Sequence, residues 1–579
     1  MKRIALLFLF PLVLLPFSPA YSQKWLWATE TKPSDPKADG EIFTDHSIAL
    51  DNKGNTYATG FFLKKMIFGH DTLTSYGAQD LFLVKYNSSG KYIWAKQIKE
   101  DKGSTAMSKA IAVDDSENVY VTGMFNDSLI FGAVKLVSGH SKQDAFIAKY
   151  YANGNLAWAK QFNLVNAFFS SAYGYGIAAD HSGNVYATGL LGDTAVYESD
   201  TVKQNNNQNF YLAKLNSAGH PLWIKSGNCY TSSSSCDVAS LALDQAGNPY
   251  IAGTFEDSII IGRDTLSAPR PSSDLFVAKY NPAGNVLWAS SAKTKNGSSD
   301  IFPNSVSVDG NGDAYVTGLF NGTVSFGPDV LIETKLQSTA FISRFSEKNG
   351  KPLWGQQPQS PGSTLWQGYS VTSDMRKRGG CYIVMQGEGS GPYQFSFGND
   401  TFKLNTSSLN AEGLVQFDSS GHVLCGSIFT EGNEDDGDGI VVDTSGSLLY
   451  LGGDLFDTTV FGPDTLVYGD DMPFVACWQI CGGNSTSAIS EVKRENADVK
   501  VYPNPSNGFF QLEIKNYELG INNIVEVYTI LGEKVYSQFL IPNSQFLINL
   551  NGQPNGIYLY RVISETGNLV GEGKLVLQR

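Results

Sequence analysis

One phrase recurs along this chain and limits the fold more than any other feature: an apolar strand ending in Asp, a Gly/Asn turn, a second strand carrying Tyr, and a closing Gly. The clearest copies begin at Asp51 (DNKGNTYATG), Asp114 (DDSENVYVTG), Asp180 (DHSGNVYATG), Asp244 (DQAGNPYIAG) and Asp309 (DGNGDAYVTG), with degenerate copies at Asp374 and Asp443. The closing glycines Gly60, Gly123, Gly189, Gly253, Gly318, Gly387 and Gly453 are spaced by 63, 66, 64, 65, 69 and 66 residues. A period near 65 is longer than that of helical solenoids, and the two-residue alternation of Val, Ile, Phe and Tyr inside it is strand patterning. Each repeat reads as one small sheet.

In the first repeat the strands are expected at Ser47 to Leu50, Thr56 to Phe61, Leu81 to Tyr86 and Tyr92 to Ile98. The fourth strand carries a Trp in five repeats (Trp94, Trp158, Trp223, Trp288, Trp354), and Cys425 takes that place in the sixth. The last repeat stops after a third strand, Phe474 to Ile480, whereas Lys24 to Thr29 (KWLWAT) reads as an unclaimed fourth strand. Pairing these two segments would close the array and leave no long sheet edge exposed. The expected fold is all-β: a seven-bladed β-propeller of four-stranded blades, its last blade closed by the N-terminal strand, plus a small C-terminal β-sandwich.

The phrase D-x-x-G-N-x-Y-x-T-G, followed by D-x-F-[LIV]-[AV]-K-Y and a turn into Leu/Ile-Trp, resembles the bacterial SBBP-type β-propeller repeat across residues 24–480. The resemblance implies a fold rather than an activity.

After Cys481 the chain turns Gly-, Ser- and then charge-rich to Asp498, a linker composition. Strand patterning resumes at Phe509 to Ile514, Ile524 to Ile530, Glu533 to Phe539, Ile557 to Ile563 and Lys574 to Leu577. The ordered segments VYPNPSNG from Val501, VYTILGEKVY from Val527, PNGIYLYRV from Pro554 and the terminal GKLVLQR resemble the type A sorting domain of type IX secretion. That resemblance implies transport across the outer membrane of a Gram-negative cell, with the domain usually removed and the protein released or attached to surface glycolipid.

Lys2 and Arg3, the apolar run Ile4 to Phe17 and the small-residue pattern before Gln23 read as a secretory signal peptide. The domain expectation is therefore a signal peptide at 1–22, a propeller at 23–482, a linker at 483–498 and a sorting domain at 499–579. The apolar run is too short for a transmembrane helix and no later stretch is long enough. No cysteine follows it until Cys229, which argues against a lipid anchor. A net charge of -14 disfavours nucleic acid as a partner. Six cysteines are few for 579 residues; Cys229 with Cys236 and Cys477 with Cys481 are close enough to pair, and Cys381 and Cys425 are expected as buried free thiols.

Residues repeated in every unit are read first as what every unit needs, so the Asp, Gly and Asn of D-x-x-G-N are turn formers. Calcium is the competing reading: Asp309, Asn311 and Asp313 alternate like ligands of an oxygen-rich loop, and Asp435, Asp436 and Asp438 form a second cluster, but neither has the EF-hand Glu. No other cofactor is expected. No zinc-protease, nucleophile-elbow or phosphate-loop motif occurs, and the six histidines are scattered, so no catalytic residue is nominated. In an antiparallel meander the long second-to-third and fourth-to-first connections share one face, where Tyr173, Tyr175, Tyr230, Trp366 and Tyr369 are candidate ligand contacts. The expected function is a secreted or surface-displayed scaffold binding a glycan, protein or matrix, with the type IX machinery as partner of residues 499–579. The rivals are a polysaccharide hydrolase or lyase with its site at a channel mouth, and a structural surface or biofilm component.

Overall fold

The computed structural model describes residues 24–30, 32–33, 48–77, 79–101, 104–138, 143–165, 171–203, 209–229, 236–295, 299–333, 338–360, 364–373, 379–388, 393–404, 410–431, 439–455, 459–461, 464–466, 472–480, 498–515, 524–529, 534–539, 546–563 and 569–579. Among the described residues there are strands and turns and no helix. The chain divides into two compact units, Gln23–Asn484 and one built on Ser485–Arg579.

In the larger unit each of the first six repeats makes a four-stranded antiparallel meander. The first is Ile48–Leu50, Thr56–Phe62, Asp80–Tyr86 and Tyr92–Glu100. Six further sheets follow among the described residues, with first strands Ala106–Val113, Ala172–Ala179, Cys236–Leu243, Asp300–Val308, Leu365–Ser373 and Gly439–Val442. These first strands neighbour one another in sequence order, and Gly439–Val442 lies beside Ile48–Leu50, so the contacts run in a closed cycle.

The repeated phrase forms the turn between first and second strands. The buried Asp51 carboxylate accepts hydrogen bonds from the backbone N–H of Lys53 and Asn55 at 2.9 Å each, from Asn55 Nδ2 at 2.7 Å and from the Tyr57 hydroxyl at 3.1 Å. The side chain thereby replaces backbone partners through the turn, while Gly54 supplies the positive φ of 76°. Lys85, from the K-Y of the third strand, reaches the same carboxylate at 3.6 Å and lies 4.7 Å over the Tyr57 ring. Lys149, Lys214, Lys279 and Arg344 lie likewise over Tyr120, Tyr186, Tyr250 and Tyr315.

Neighbouring sheets are joined in two ways. The Trp of each fourth strand donates its indole N–H to a carbonyl in the next repeat: Trp94 to Ala152 at 3.2 Å, Trp158 to Ser217 and Trp223 to Pro282 at 3.1 Å each, Trp288 to Glu347 at 2.8 Å and Trp354 to Ser419 at 3.0 Å. The connection between second and third strands, expected as an open loop, instead folds into a hairpin. In the second repeat Ser128–Phe131 and Val134–Val137 pair with each other, and the former pairs with the preceding Tyr92–Glu100. In the third, Ala195–Tyr197 pairs with Leu156–Leu164 in the same way. A recurring Phe-Gly-x-Asp, at Phe68–Asp71, Phe326–Asp329, Phe397–Asp400 and Phe461–Asp464, marks the corresponding hairpins of the first, fifth, sixth and seventh repeats.

Lys24–Glu30 supplies the outer strand of the seventh sheet, pairing with Met472–Gln479 from Lys24 opposite Gln479 to Glu30 opposite Phe474. Its Trp27 ring packs against the Gly90 turn of the first repeat, as Trp94 packs against Gly154 and Trp158 against Gly219. At Gly90 and Gly219 an added Cβ would lie within 2.5 and 2.9 Å of the indole, too close to fit while the ring is in place.

The cysteines depart from expectation at two positions. Cys229 and Cys236 are joined in a disulfide, tying the strand that receives the fourth repeat's hairpin to the next first strand. Cys477 is a free, buried thiol rather than the partner of Cys481, which lies outside the described residues. It pairs across from Tyr450 just as Lys149 does from Tyr120, so it takes the buried slot of the repeated Lys. Cys425, expected free, is disulfide-bonded, and Cys381 is free and buried.

In the smaller unit, Asp498–Tyr502, Phe509–Lys515 and Phe546–Asn549 form one sheet, and Lys534–Phe539, Ile524–Thr529, Gly556–Ile563 and Leu569–Leu577 a second. Phe510, Leu512, Val527, Ile548, Val562 and Leu575 form their common core. The strands at Asp498–Tyr502 and Phe546–Asn549 were not among those expected.

Candidate functional site

The first strands are where the repeats stop being alike. In five of them the register with the second strand slips by one residue at the same place, leaving Lys109, Tyr175, Ala239, Asn304 and Tyr369 as the bulged residues. A bulge re-aims a side chain out of the ladder. It also explains the closing glycine: at Gly123, Gly189, Gly253 and Gly318 an added Cβ would collide with the carbonyl of Met107, Tyr173, Asp237 and Phe302. In the sixth repeat Met385, opposite Gly368, holds this register, so Gly387 is not the equivalent glycine; it pairs with Trp366 instead.

Four bulged residues share one cavity of ≈ 320 Å³, lined by Lys109, Tyr175, Asp237, Val238, Ala239, Thr254, Phe302, Pro303 and Asn304. Four consecutive first strands contribute to it. Tyr173 and Tyr175 stack with ring centres 5.5 Å apart and planes 7° apart, and the Tyr173 hydroxyl donates to Gln143 Oε1 at 2.7 Å. Asn304 donates to the Gly368 carbonyl at 2.9 Å, which fixes its amide across to the next first strand. Asp237 accepts the Val238 N–H at 2.8 Å, and burial pushes its carboxyl up to about 6. Burial, with Asp237 and Tyr173 beside it, holds the Tyr175 phenol well above its ordinary range, so it remains a proton donor at neutral pH.

The candidate ligand contacts are thus distributed differently from the loop face expected. Tyr173 and Tyr175 lie on a first strand, Tyr175 in the cavity. Tyr369 is a half-buried bulged residue packed against the core shared by the sixth and seventh sheets. Trp366 is 1% exposed with its ring 4.6 Å from Phe395, and is core rather than a contact surface. Tyr230 lies outside the described residues. Lys109, Asp237 and Asn304 were missed, because only the register slip brings residues of different strands to one place.

Asp309 is buried and accepts the backbone N–H of Asn311 at 2.9 Å and of Asp313 at 3.0 Å, with the Tyr315 hydroxyl at 3.3 Å. Asp313 pairs with Arg344 and accepts the Glu347 N–H. These carboxylates accept hydrogen bonds within the turn and, at Asp313, pair with Arg344. Asp435, Asp436 and Asp438 lie outside the described residues. Among the described residues no cluster of three metal-ligating side chains occurs.

Residues 500–578 match the secretion system C-terminal sorting domain. The tail is a sorting domain, and it marks a protein exported through type IX secretion to the cell surface or beyond. Over 429 residues the chain is 23% identical to an uncharacterized WD repeat-containing protein, L264, of Acanthamoeba polyphaga mimivirus, covering 62% of this chain and 30% of that one. The chain thus spans under a third of that relative's length. Repeats of that kind and an all-β chain are consistent with a propeller. A protein of unknown function from Bacteroides caccae aligns at 12% identity and a TM-score of 0.28, over 60% of this chain and 93% of that one. The hemagglutinin-neuraminidase ectodomain of parainfluenza virus 5 aligns at 9% and 0.32, over 79% and 84%. Scores this low carry nothing for fold or activity.

Proposed function

We propose that the larger unit is a seven-bladed β-propeller of SBBP-type repeats, led into the export route by a signal peptide at 1–22, and that it serves outside the cell as a glycan-binding scaffold. The closed cycle of first strands and the outer strand contributed by Lys24–Glu30 support the propeller. The observation that carries the binding reading is the convergence of non-repeated side chains on one cavity. Tyr175, stacked on Tyr173, offers an aromatic surface for a sugar ring, while carboxylate, amide, phenol and ammonium groups match the donors and acceptors of its hydroxyls.

Glycosidic hydrolysis generally needs a pair of carboxylates. Asp237 is the one carboxylate among the described lining residues, and Tyr175 keeps its proton, so binding is favoured over hydrolysis or elimination. The test is a glycan array probed with the full chain, with reducing-end release assayed in the same wells. Binding without release, weakened at least ~10-fold by Asp237→Asn, about 1.4 kcal/mol, is the expected result. Release of reducing ends would overturn the scaffold reading, and binding only to proteins would move the ligand class.

A further inference from the structure

We infer that a second cavity, between the outer strands of the third and fourth sheets, binds the anionic group of an acidic polysaccharide through Lys225 and Arg263. The inference does not rest on the cavity of the first strands.

The junctions on either side of the third sheet are built alike and charged differently. On one, Lys160 stands two residues past Trp158, opposite Ile147; on the other, Lys225 stands two residues past Trp223, opposite Leu212. The hairpin of the next repeat pairs at the same distance beyond each Trp, with Asn163 and Leu164 in the first case and with Asn228 and Cys229 in the second. The two-residue tips of these hairpins are Glu198 and Ser199, and Gly262 and Arg263. Glu198 pairs with Lys160, and His220 Nδ1 lies 2.8 Å from the same carboxylate, so the lysine there is neutralised locally. Gly262 stands where Glu198 does, with φ of 64° against 53°, so the turn is kept and the carboxylate is lost. Arg263 then adds a second cation at the position of Ser199.

Lys225 and Arg263, both exposed, line a cavity of ≈ 740 Å³ bounded by the hairpin tip and the outer strand of the fourth sheet. Among the described residues no acidic side chain lies within ion-pair distance of either one, in a chain whose net charge is -14. Asp264 is the one carboxylate among the described lining residues, and it is engaged: it accepts the Ala289 N–H at 3.1 Å, as Asp329 accepts the Gly355 N–H at 3.0 Å in the next sheet. An ammonium and a guanidinium facing one space are matched by carboxylate or sulfate oxygens, to which both donate charge-assisted hydrogen bonds. The rest of the lining suits a sugar. Exposed Leu287 offers an apolar surface to ring C–H groups, while the Ser226 hydroxyl and the Asn285 amide match ring hydroxyls. The cavity opens at exposed residues, so it has room for a short stretch of a polymer that continues into solvent.

Retention of the full chain on immobilised polygalacturonate, dextran sulfate and uncharged dextran tests the site, with poly-glutamate as the protein-like polyanion. The expected result is retention on polygalacturonate or dextran sulfate, which separates carboxylate from sulfate, and none on dextran. The Lys225→Ser, Arg263→Ser double variant should lose at least ~10-fold in affinity at an unchanged thermal midpoint, since both side chains are exposed. Lys160→Ser, which removes a cation already paired with Glu198, and Asp237→Asn, in the other cavity, should bind as the parent does. Retention on neither acidic polysaccharide, or equal retention of the double variant, would overturn the inference. Loss of retention in Asp237→Asn but not in the double variant would overturn it too, by moving the ligand to the first-strand cavity. Binding to poly-glutamate as tight as to the polysaccharides would overturn the sugar class.

Discussion

The turn around Asp51, with its counterparts in other repeats, and the bulge in the first strands of five later repeats follow opposite rules. The turn uses the same residues in the first four repeats, where a carboxylate, a lysine and a tyrosine hold the second and third strands together, with Arg344 replacing the lysine in the fifth. The bulge keeps only its backbone: the slip recurs five times, opposite a glycine in four of them, while the side chain delivered is Lys, Tyr, Ala, Asn or Tyr. A repeated backbone with a variable side chain gives a scaffold a fixed place for changeable contacts. Stability and specificity are therefore separable along the chain, and substitutions can test the separation.

The largest effect is expected at the glycine. Gly189→Val would drive a branched side chain into the Tyr173 carbonyl, and a core position cannot shift both strands to admit it. A loss of ~3 kcal/mol or more is expected, read as a lowered denaturation midpoint or absence of soluble protein. Ala239→Ser, at a bulged position of the same kind, should leave the midpoint within about 0.5 kcal/mol. Equal losses at the two sites would break the distinction between backbone and side chain.

Next comes the contact between sheets. Trp288→Phe keeps a ring against the Gly350 turn but removes the indole hydrogen bond to the Glu347 carbonyl, at a cost of about 1 kcal/mol. Denaturant unfolding that shows no change would mean the ring alone joins the sheets.

What was legible in the sequence divides along the same line. The turns, the Trp positions and the N-terminal strand were readable because each repeats, so several copies report one physical need. Residues such as Asp237 occur once, and the slip that aims their neighbours inward shifts the two-residue alternation from which facing is inferred. The hairpins were missed for a different reason: Phe-Gly-x-Asp repeats too, but several hairpins pair with the outer strand of the preceding sheet or with the segment just beyond it, a long-range pairing that local patterning does not reveal. Trp366 was misplaced because a large aromatic at a non-repeated position looks like a contact, when its neighbours Phe395 and Tyr393 make it core.

Buried carboxyls sharpen the comparison through pH. Glu100 ends the first sheet's outer strand and accepts the Ala106 N–H at 2.6 Å, and burial, with Asp80 nearby, pushes its carboxyl up to about 9. A folded value raised above 4.5 means the neutral form stabilises the fold, fully so below about 4.5, and that contribution is lost as pH rises through about 9. The thermal midpoint should therefore fall between pH 5 and pH 9, and Glu100→Gln, which keeps the acceptor and removes the titration, should flatten that slope. An unchanged slope in the variant would place the pH dependence elsewhere.

The smallest effect on stability, and the one that separates scaffold from site, is expected at Asp237. Its carboxyl is also raised, to about 6, so its neutral form favours folding below the ordinary carboxylate range, and that contribution disappears as pH passes through about 6. Above that pH the charged group is a mild burden on the fold, and Asp237→Asn, which can still accept the Val238 N–H, should leave the midpoint unchanged or slightly higher at pH 8. Function selects such a burden only if the charge is used. Loss of glycan binding with no loss of stability in this variant would show that the cavity, unlike the turns, is maintained for a ligand; a destabilised variant would return Asp237 to the repeated architecture it interrupts.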